Sequence, residues 1–186
     1  MTSETTVVLD AAGVDAAIHR MAQEIVAGNE SMDEVVLLGI LKRGRPLAER
    51  LAEEISKMSG VKPRIGSLAT TLYRDDLRSG KKPNLAGNVT HFDFDVEGVT
   101  VVLVDDVLST GRTVRAALDE IIDYGRPKRV QLACLVDRGH RELPIRADYL
   151  GWSLATNPED HVSVRLKEAD GEDAVLLERI AAESGE

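Results

Sequence analysis

The chain has 186 residues, of which 43% are hydrophobic and 30% charged, and its 23 Lys and Arg against 32 Asp and Glu give a formal net charge of −9. These figures predict one soluble globular domain. They exclude wholesale disorder, a disulfide framework (Cys134 is the one cysteine) and a surface that coats nucleic acid throughout. No apolar run approaches the ~18–20 residues of a membrane span. The opening Met-Thr-Ser-Glu-Thr-Thr has neither the basic nor the apolar region of a signal peptide. The expected location is the cytoplasm, with no membrane partner.

In chain order, Val14, Ile18, Met21 and Ile25 recur at helical spacing, and Gly28-Asn29 follows as a stop. Residues 35–40 are a continuous apolar run, the pattern of a strand covered on both faces. Pro46 opens a second helix with Leu47, Leu51, Ile55 and Met58 as its stripe, closed by Gly60. Residues 64–68 suggest a strand. From Thr70 to His91 the chain is polar and broken by Gly80, Pro83 and Gly87, which predicts a long functional loop, mobile over residues 74–88. Residues 99–104 form the most β-branched strand, and a helix is expected over 113–124 with Val114, Leu118 and Ile121 inward. Residues 130–136 and 147–150 read as further strands. Val162, Val164 and Leu166 alternate with polar residues, Asp170-Gly171 signals a turn and residues 174–177 return, so a terminal hairpin is expected, followed by a frayed tail after Ile180. Strands alternating with helices predict an α/β fold with a mainly parallel central sheet and flanking helices.

Ligands of open α/β sheets bind beyond the carboxyl ends of the strands. There the run of residues 101–113 ends an apolar strand in Asp105 and Asp106 and continues through Ser109, Thr110, Gly111, Arg112 and Thr113 into a helix. A glycine-bearing turn at a helix N-terminus suits a phosphate, and the hydroxyls add donors. Carboxylates beside that cradle would repel the phosphate, so they fit the vicinal hydroxyls of a ribose, or Mg²⁺ bridging to them. The plainer alternative is that both aspartates cap the turn. The run has neither the P-loop nor the dinucleotide pattern.

This run resembles the phosphoribosyl pyrophosphate (PRPP) signature of type I phosphoribosyltransferases. With Thr71-Leu72-Tyr73-Arg74-Asp75-Asp76-Leu77 and residues 135–149 (Leu-Val-Asp-Arg-Gly-His-Arg-Glu-Leu-Pro-Ile-Arg-Ala-Asp-Tyr), it resembles the PyrR family over roughly residues 11–178. Members of that family are uracil phosphoribosyltransferases, many of which also regulate pyrimidine genes through mRNA. The resemblance implies a type I phosphoribosyltransferase fold and the reaction of uracil with PRPP to give UMP and pyrophosphate, with Mg²⁺ as cofactor. It implies that Asp105 and Asp106 hold the ribose hydroxyls and the metal, and that the turn from Ser109 to Thr113 holds the 5′-phosphate. Lys42, Arg43 and Gly44 would meet the pyrophosphate, and Arg74, on a closing loop, would stabilise its departure. Val136, Asp137 and Arg138 would read the base, unless Asp137 and Arg138 simply pair with each other. His140 suits a loop hydrogen-bonder, and Cys134 a small buried filler. Relatives self-associate, so a homodimer or higher homo-oligomer is expected.

The chain departs from the family pattern at Lys42, usually Thr, at Ser109, usually Tyr, and at Ala69-Thr70, where an Asp usually precedes the Thr-Leu-Tyr-Arg run. Lys42 is reminiscent of purine phosphoribosyltransferases, which keeps a purine enzyme as an alternative beside an RNA-binding regulator with little catalysis. Residues 126–146 concentrate basic side chains, and Arg20, Arg141 and Arg146 are the candidate contacts to an mRNA leader hairpin. RNA-binding members read Thr-Arg-Ile-Ala-His-Glu where this chain has His19-Arg20-Met21-Ala22-Gln23-Glu24, and Lys in place of Trp152. Weaker and less selective RNA binding is therefore expected.

Overall fold

The computed structural model describes residues 3–70 and 89–180. Its centre is a parallel sheet of β2 (Val35–Ile40), β3 (Arg64–Leu68), β4 (Thr100–Leu108), β5 (Arg129–Asp137) and β6 (Tyr149–Ser153), in the order β3-β2-β4-β5-β6. Strand periodicity sorts the side chains onto two faces. Leu37, Val102, Val104, Ala133 and Leu135 pack against α1 (Ala11–Ala27) and α2 (Gly44–Ser59). Val36, Leu38, Val101, Leu103, Leu132 and Cys134 pack on the opposite side with α3 (Arg112–Ile122). With both faces covered, every residue of β2 is buried, which is why that run carries no alternation in the sequence.

The helices form where their stripes predict. Val14, Ile18, Met21 and Ile25 are buried on α1, and the Asp10 carboxylate caps the helix by accepting from the Gly13 N–H at 2.8 Å. Leu47, Leu51 and Ile55 are buried on α2, with Met58 at the margin, and Gly60 closes the helix in the left-handed conformation at φ 77°. On α3, Val114 and Ile121 are buried and Leu118 is half-buried. Cys134 is buried, and that burial, with the nearby Asp105, Asp137 and Asp106 carboxylates, pushes its thiol pKa well up. It is a filler, as expected.

A second, antiparallel sheet has the order β1-β8-β7, with β1 (Ser3–Leu9), β7 (His161–Arg165) and β8 (Ala174–Ile180). The expected hairpin is β7 and β8, joined by a turn that contains the short helix α4 (Lys167–Asp170) and Gly171 at φ 79°. Val162, Val164, Leu166, Val175 and Leu177 carry the core of α1 and α2 into this sheet.

Strand β1 is absent from the sequence reading. Its partner β8 lies at the other end of the chain, and Val7 is 59% exposed, so no local alternation announces it. Strand β6 begins two residues later than expected and runs to Ser153. The backbone of Asp148 bonds to Leu132 O, and its side chain takes the Leu132 N–H, both at 2.8 Å; pairing with β5 then continues through Trp152. The loop expectation for residues 74–88 and the expected tail after Ile180 lie outside the described residues. Among the described residues, no helix is long and apolar enough to cross a membrane.

Candidate active site

In the central sheet β3 lies on one side of β2, and β4, β5 and β6 on the other. The side on which successive strands are added therefore switches between the parallel neighbours β2 and β4, and the loops leaving their carboxyl ends diverge to open a crevice. A cavity of about 330 Å³ occupies it, lined by Lys42, Arg43, Asp105, Asp106 and Thr113, with His161 and Ser163 of β7 across from them. A larger groove, about 660 Å³, runs between α1 and α2. Its charged walls neutralise each other: His19 and Lys57 both bond Glu54, and Arg50 pairs with Glu168 and Asp173. Of the site residues singled out in the sequence, the crevice lining takes in Lys42, Arg43, Asp105, Asp106 and Thr113, and the larger groove none; Gly44, Ser109 to Arg112 and Val136 to Arg138 lie outside that lining.

Two glycines make the loop after β2 possible. A Cβ on Gly44 would lie 2.3 Å from the Val104 carbonyl, and one on Gly39 would lie 2.5 Å from Arg45 backbone. Only hydrogen at these positions lets α2 start directly against β4. The Leu41–Lys42 peptide is cis. Lys42 is exposed on the cavity wall. Arg43 does not project freely: its Nη2 donates to Asp170 Oδ1 at 2.9 Å and its Nε to Oδ2 at 3.3 Å.

At the end of β4, Asp105 is buried and accepts the Asp106 N–H through Oδ1 at 3.0 Å, while Asp106 is half-buried. The turn then reverses at Gly111, in the left-handed region at φ 92°, and α3 starts at the next residue. The first N–H groups of α3 have no carbonyl within the helix to bond, so this end of the helix favours an anion. The Thr110 carbonyl accepts the Glu142 and Leu143 N–H groups at 3.0 and 3.2 Å, and Arg112 Nε donates to Glu142 Oε2 at 2.6 Å. Residues 141–145 thus clasp the turn from outside.

The clasp and the loop after β5 share one bolt, Arg141. Its guanidinium forks onto the Asp137 carboxylate, with Nη1 also donating to Ser109 O and Nε to Ile145 O, each at 2.7 Å. Burial opposes ionisation of Asp137, but the Arg141 guanidinium and the Gly139 N–H outweigh it and hold the carboxyl below its usual range. Arg141 was expected to face RNA; its donors are instead spent on tying the 137 loop to the 109 turn. Arg138 does not pair with Asp137 either. It donates to the Asn157 and Pro158 carbonyls at 3.1 and 3.3 Å, and its buried Nε lacks a protein partner among the described residues. Val136 is buried beneath them. His140 bonds Thr156, a loop role as expected.

Of the other RNA candidates, Arg20 turns inward to the Gly151 carbonyl of β6, while Arg146 is exposed. Arg74 lies outside the described residues. Sequence reasoning missed the β7 wall of the crevice and Asp170, which registered only as half of a turn signal. The ion pair it makes spans 127 positions and leaves no local pattern.

Residues 5–169 match the family model described as phosphoribosyl transferase domain. The Bifunctional protein PyrR of Pelotomaculum thermopropionicum is 51% identical over 177 residues, covering 95% of this chain and 97% of the relative. The protein of the same name from Clostridioides difficile is 50% identical over 175 residues, covering 94% and 98%. Among solved structures, a Leishmania tarentolae HGPRT-ase in complex with GMP aligns with TM-score 0.69 at 16% identity, covering 91% of this chain and 94% of that one. A hypoxanthine-guanine phosphoribosyltransferase from Bacillus anthracis aligns with TM-score 0.66, also at 16% identity, covering 95% and 99%. Identities this low speak to the fold, which is the one expected. Identity near one half along almost the whole length, with the domain match and a crevice built from the signature residues, speaks to descent: the chain belongs to the PyrR family of type I phosphoribosyltransferases.

Proposed function

We propose that the protein is a uracil phosphoribosyltransferase, converting uracil and PRPP to UMP and pyrophosphate with Mg²⁺. The observation that carries this reading is the meeting, in one crevice, of the Asp105–Asp106 pair with Lys42, Arg43 and Thr113. That set matches a sugar flanked by two phosphate groups. Asp105 and Asp106 take the ribose hydroxyls. The turn from Ser109 through Thr110, Gly111 and Arg112 to Thr113 takes the 5′-phosphate with backbone and hydroxyl donors at the start of α3. Lys42 and Arg43 face the diphosphate with positive charge, beside Gly44. Val136, Asp137 and Arg138 form the base side, where peptide groups and an arginine suit the carbonyls of a pyrimidine.

Breaking the C1–diphosphate bond leaves positive charge on the sugar and negative charge on the leaving group. Lys42 and Arg43 stabilise the latter, and Arg74 is assigned the same task. Orientation of the base toward C1 contributes the rest, so no strong general base is required. Among the described residues no group of three or more His, Cys, Asp or Glu forms a metal site. Two adjacent carboxylates do fit Mg²⁺, which commonly uses one or two carboxylates plus substrate phosphates and water. When bound, the ion would neutralise diphosphate charge.

The name of the relatives, bifunctional protein, supports a second role as a UMP-responsive regulator that binds an mRNA leader hairpin. Arg146 is available for it, whereas Arg20 and Arg141 are engaged internally. The discriminating experiment for the enzyme is a panel of uracil, hypoxanthine and guanine with PRPP and Mg²⁺. Nucleotide formation from uracil, at least about 100-fold preferred in kcat/KM, is expected. A preference for either purine would replace this reading with the purine alternative motivated by Lys42.

A further inference from the structure

Arg43 belongs to the loop that the functional reading gives to pyrophosphate, yet its guanidinium is already held by a residue from the far end of the chain. Asp170 bonds it along the Nε–Nη2 edge, at 3.3 and 2.9 Å, which leaves the Nη1 donors outside the fork. Arg43 remains on the wall of the crevice and close enough to Asp106 to feel its charge. Asp170 is itself fixed. Its Oδ2 accepts the Leu166 N–H at 2.9 Å, and the turn that bears it is fastened to α2 by Arg50. Arg50 forks onto Glu168 with both bonds at 2.7 Å and reaches Asp173 at 2.6 Å; Asp173 in turn accepts the Lys167 N–H at 2.7 Å. The turn, the start of α2 and the loop after β2 therefore form one braced unit.

We propose that Asp170 is a positioning residue for the pyrophosphate loop: it holds the Arg43 guanidinium in one orientation, so that the diphosphate of PRPP meets a cation already in place. The proposal rests on the functional reading above. Arginine has many rotamers, and a side chain immobilised before binding loses less entropy when the ligand arrives. The pair is partly solvent-exposed, with 38% of the Arg43 side chain and 21% of the Asp170 side chain accessible. Its Coulombic contribution to stability is accordingly small, and orientation is what it supplies. This division separates the proposal from a purely structural role.

The test is calorimetric titration of the full chain with pyrophosphate in the presence of Mg²⁺, and separately with UMP. D170N is expected to weaken pyrophosphate binding by about fivefold to twentyfold, leave UMP binding within about twofold, and shift the unfolding midpoint little. D170E should recover part of the loss. R43A should weaken pyrophosphate binding alone, and the R43A/D170N pair should be no weaker than R43A, because Asp170 acts through Arg43. In steady state the D170N defect should appear in the KM for PRPP more than in kcat. Unchanged or tighter pyrophosphate binding by D170N overturns the proposal, the tighter case making Asp170 a competitor of the ligand. Additive losses in the double variant overturn it too. Wild-type protein that binds neither ligand would overturn the functional reading itself.

Discussion

Two clefts invite a ligand, and they differ in how their charges are spent. The groove between α1 and α2 is the larger, about 660 Å³ against about 330 Å³ for the crevice at the ends of β2 and β4. In the groove, Glu54 bonds both His19 and Lys57 from the walls, and Arg50 faces Asp15, Glu168 and Asp173. The Glu54–Lys57 pair lies within α2, and the others join helix to helix or helix to turn. In the crevice, Lys42 and Arg43 from the loop after β2, Asp105 and Asp106 of β4, Thr113 at the start of α3, and His161 and Ser163 of β7 line one cavity. Volume alone would point to the groove. The arrangement of charge, and a position where the strand order switches sides, point to the crevice.

The contrast is broken first by removing the carboxylates. D105N or D106N should lower kcat/KM for PRPP by roughly 100-fold or more, the scale of losing a charged substrate contact in an enclosed site. In the groove, E54Q should leave the same constant within about twofold, since its partners are exposed side chains. Turnover by D105N at the wild-type level would detach the ribose from β4.

Next in size is the Arg141 bolt. R141A removes donors to Asp137, Ser109 and Ile145 together, leaving two carbonyls without this partner and a half-buried carboxylate with only the Gly139 N–H. It should destabilise the fold by about 2–3 kcal/mol in urea unfolding. It should also raise the KM for uracil by around tenfold, because the 137 loop and the 109 turn lose their common tie. An R141A protein with wild-type stability but no affinity for RNA would return that residue to the surface role expected from the sequence.

A smaller effect is expected at Gly111. Alanine there must adopt φ near 92° and would touch Ile145 at 3.3 Å. The strain costs about 1–2 kcal/mol, visible as a lower urea midpoint together with weaker UMP binding. Unaltered stability would mean that the turn relaxes without cost.

The pH dependence reports on the braced turn. The Arg50 guanidinium, partly opposed by burial, holds Glu168 and Asp173 below their ordinary range, and Arg43 does the same for Asp170. A depressed folded pKa contributes stability fully above the unfolded value, near 4 for these carboxylates, and loses it as pH falls through the folded one. The urea midpoint should therefore be flat near neutrality and drop below about pH 4. D173N should be less stable at neutral pH and show a shallower drop. A midpoint for D173N that parallels the wild type at every pH would remove Asp173 from that account.

Most of this was legible in the sequence where the determinants are local. The helix stripes, the apolar run of β2 and the strand-to-turn string from Val101 to Thr113 each carry their structure within a dozen residues. What escaped reading depends on pairings between distant segments. Strand β1 exists because β8 accepts it. Asp170 looks like half of a turn until Arg43 is brought across from position 43. Arg141 is basic and lies in a basic stretch, so charge alone pointed outward; only the fold places Asp137, Ser109 and Ile145 around its guanidinium. His161 and Ser163 reach the crevice because the hairpin shares the core of α1 and α2, a tertiary fact with no periodic signature.

The crevice between β2 and β4, and not the groove between α1 and α2, is expected to bind the nucleotide. A crystal structure with UMP tests it most directly. The phosphate should lie on the backbone N–H groups of residues 109–113, the ribose hydroxyls on Asp105 and Asp106, and the uracil ring beside Val136 to Arg138. UMP seated between His19 and Glu54, or a phosphate away from the start of α3, would contradict it.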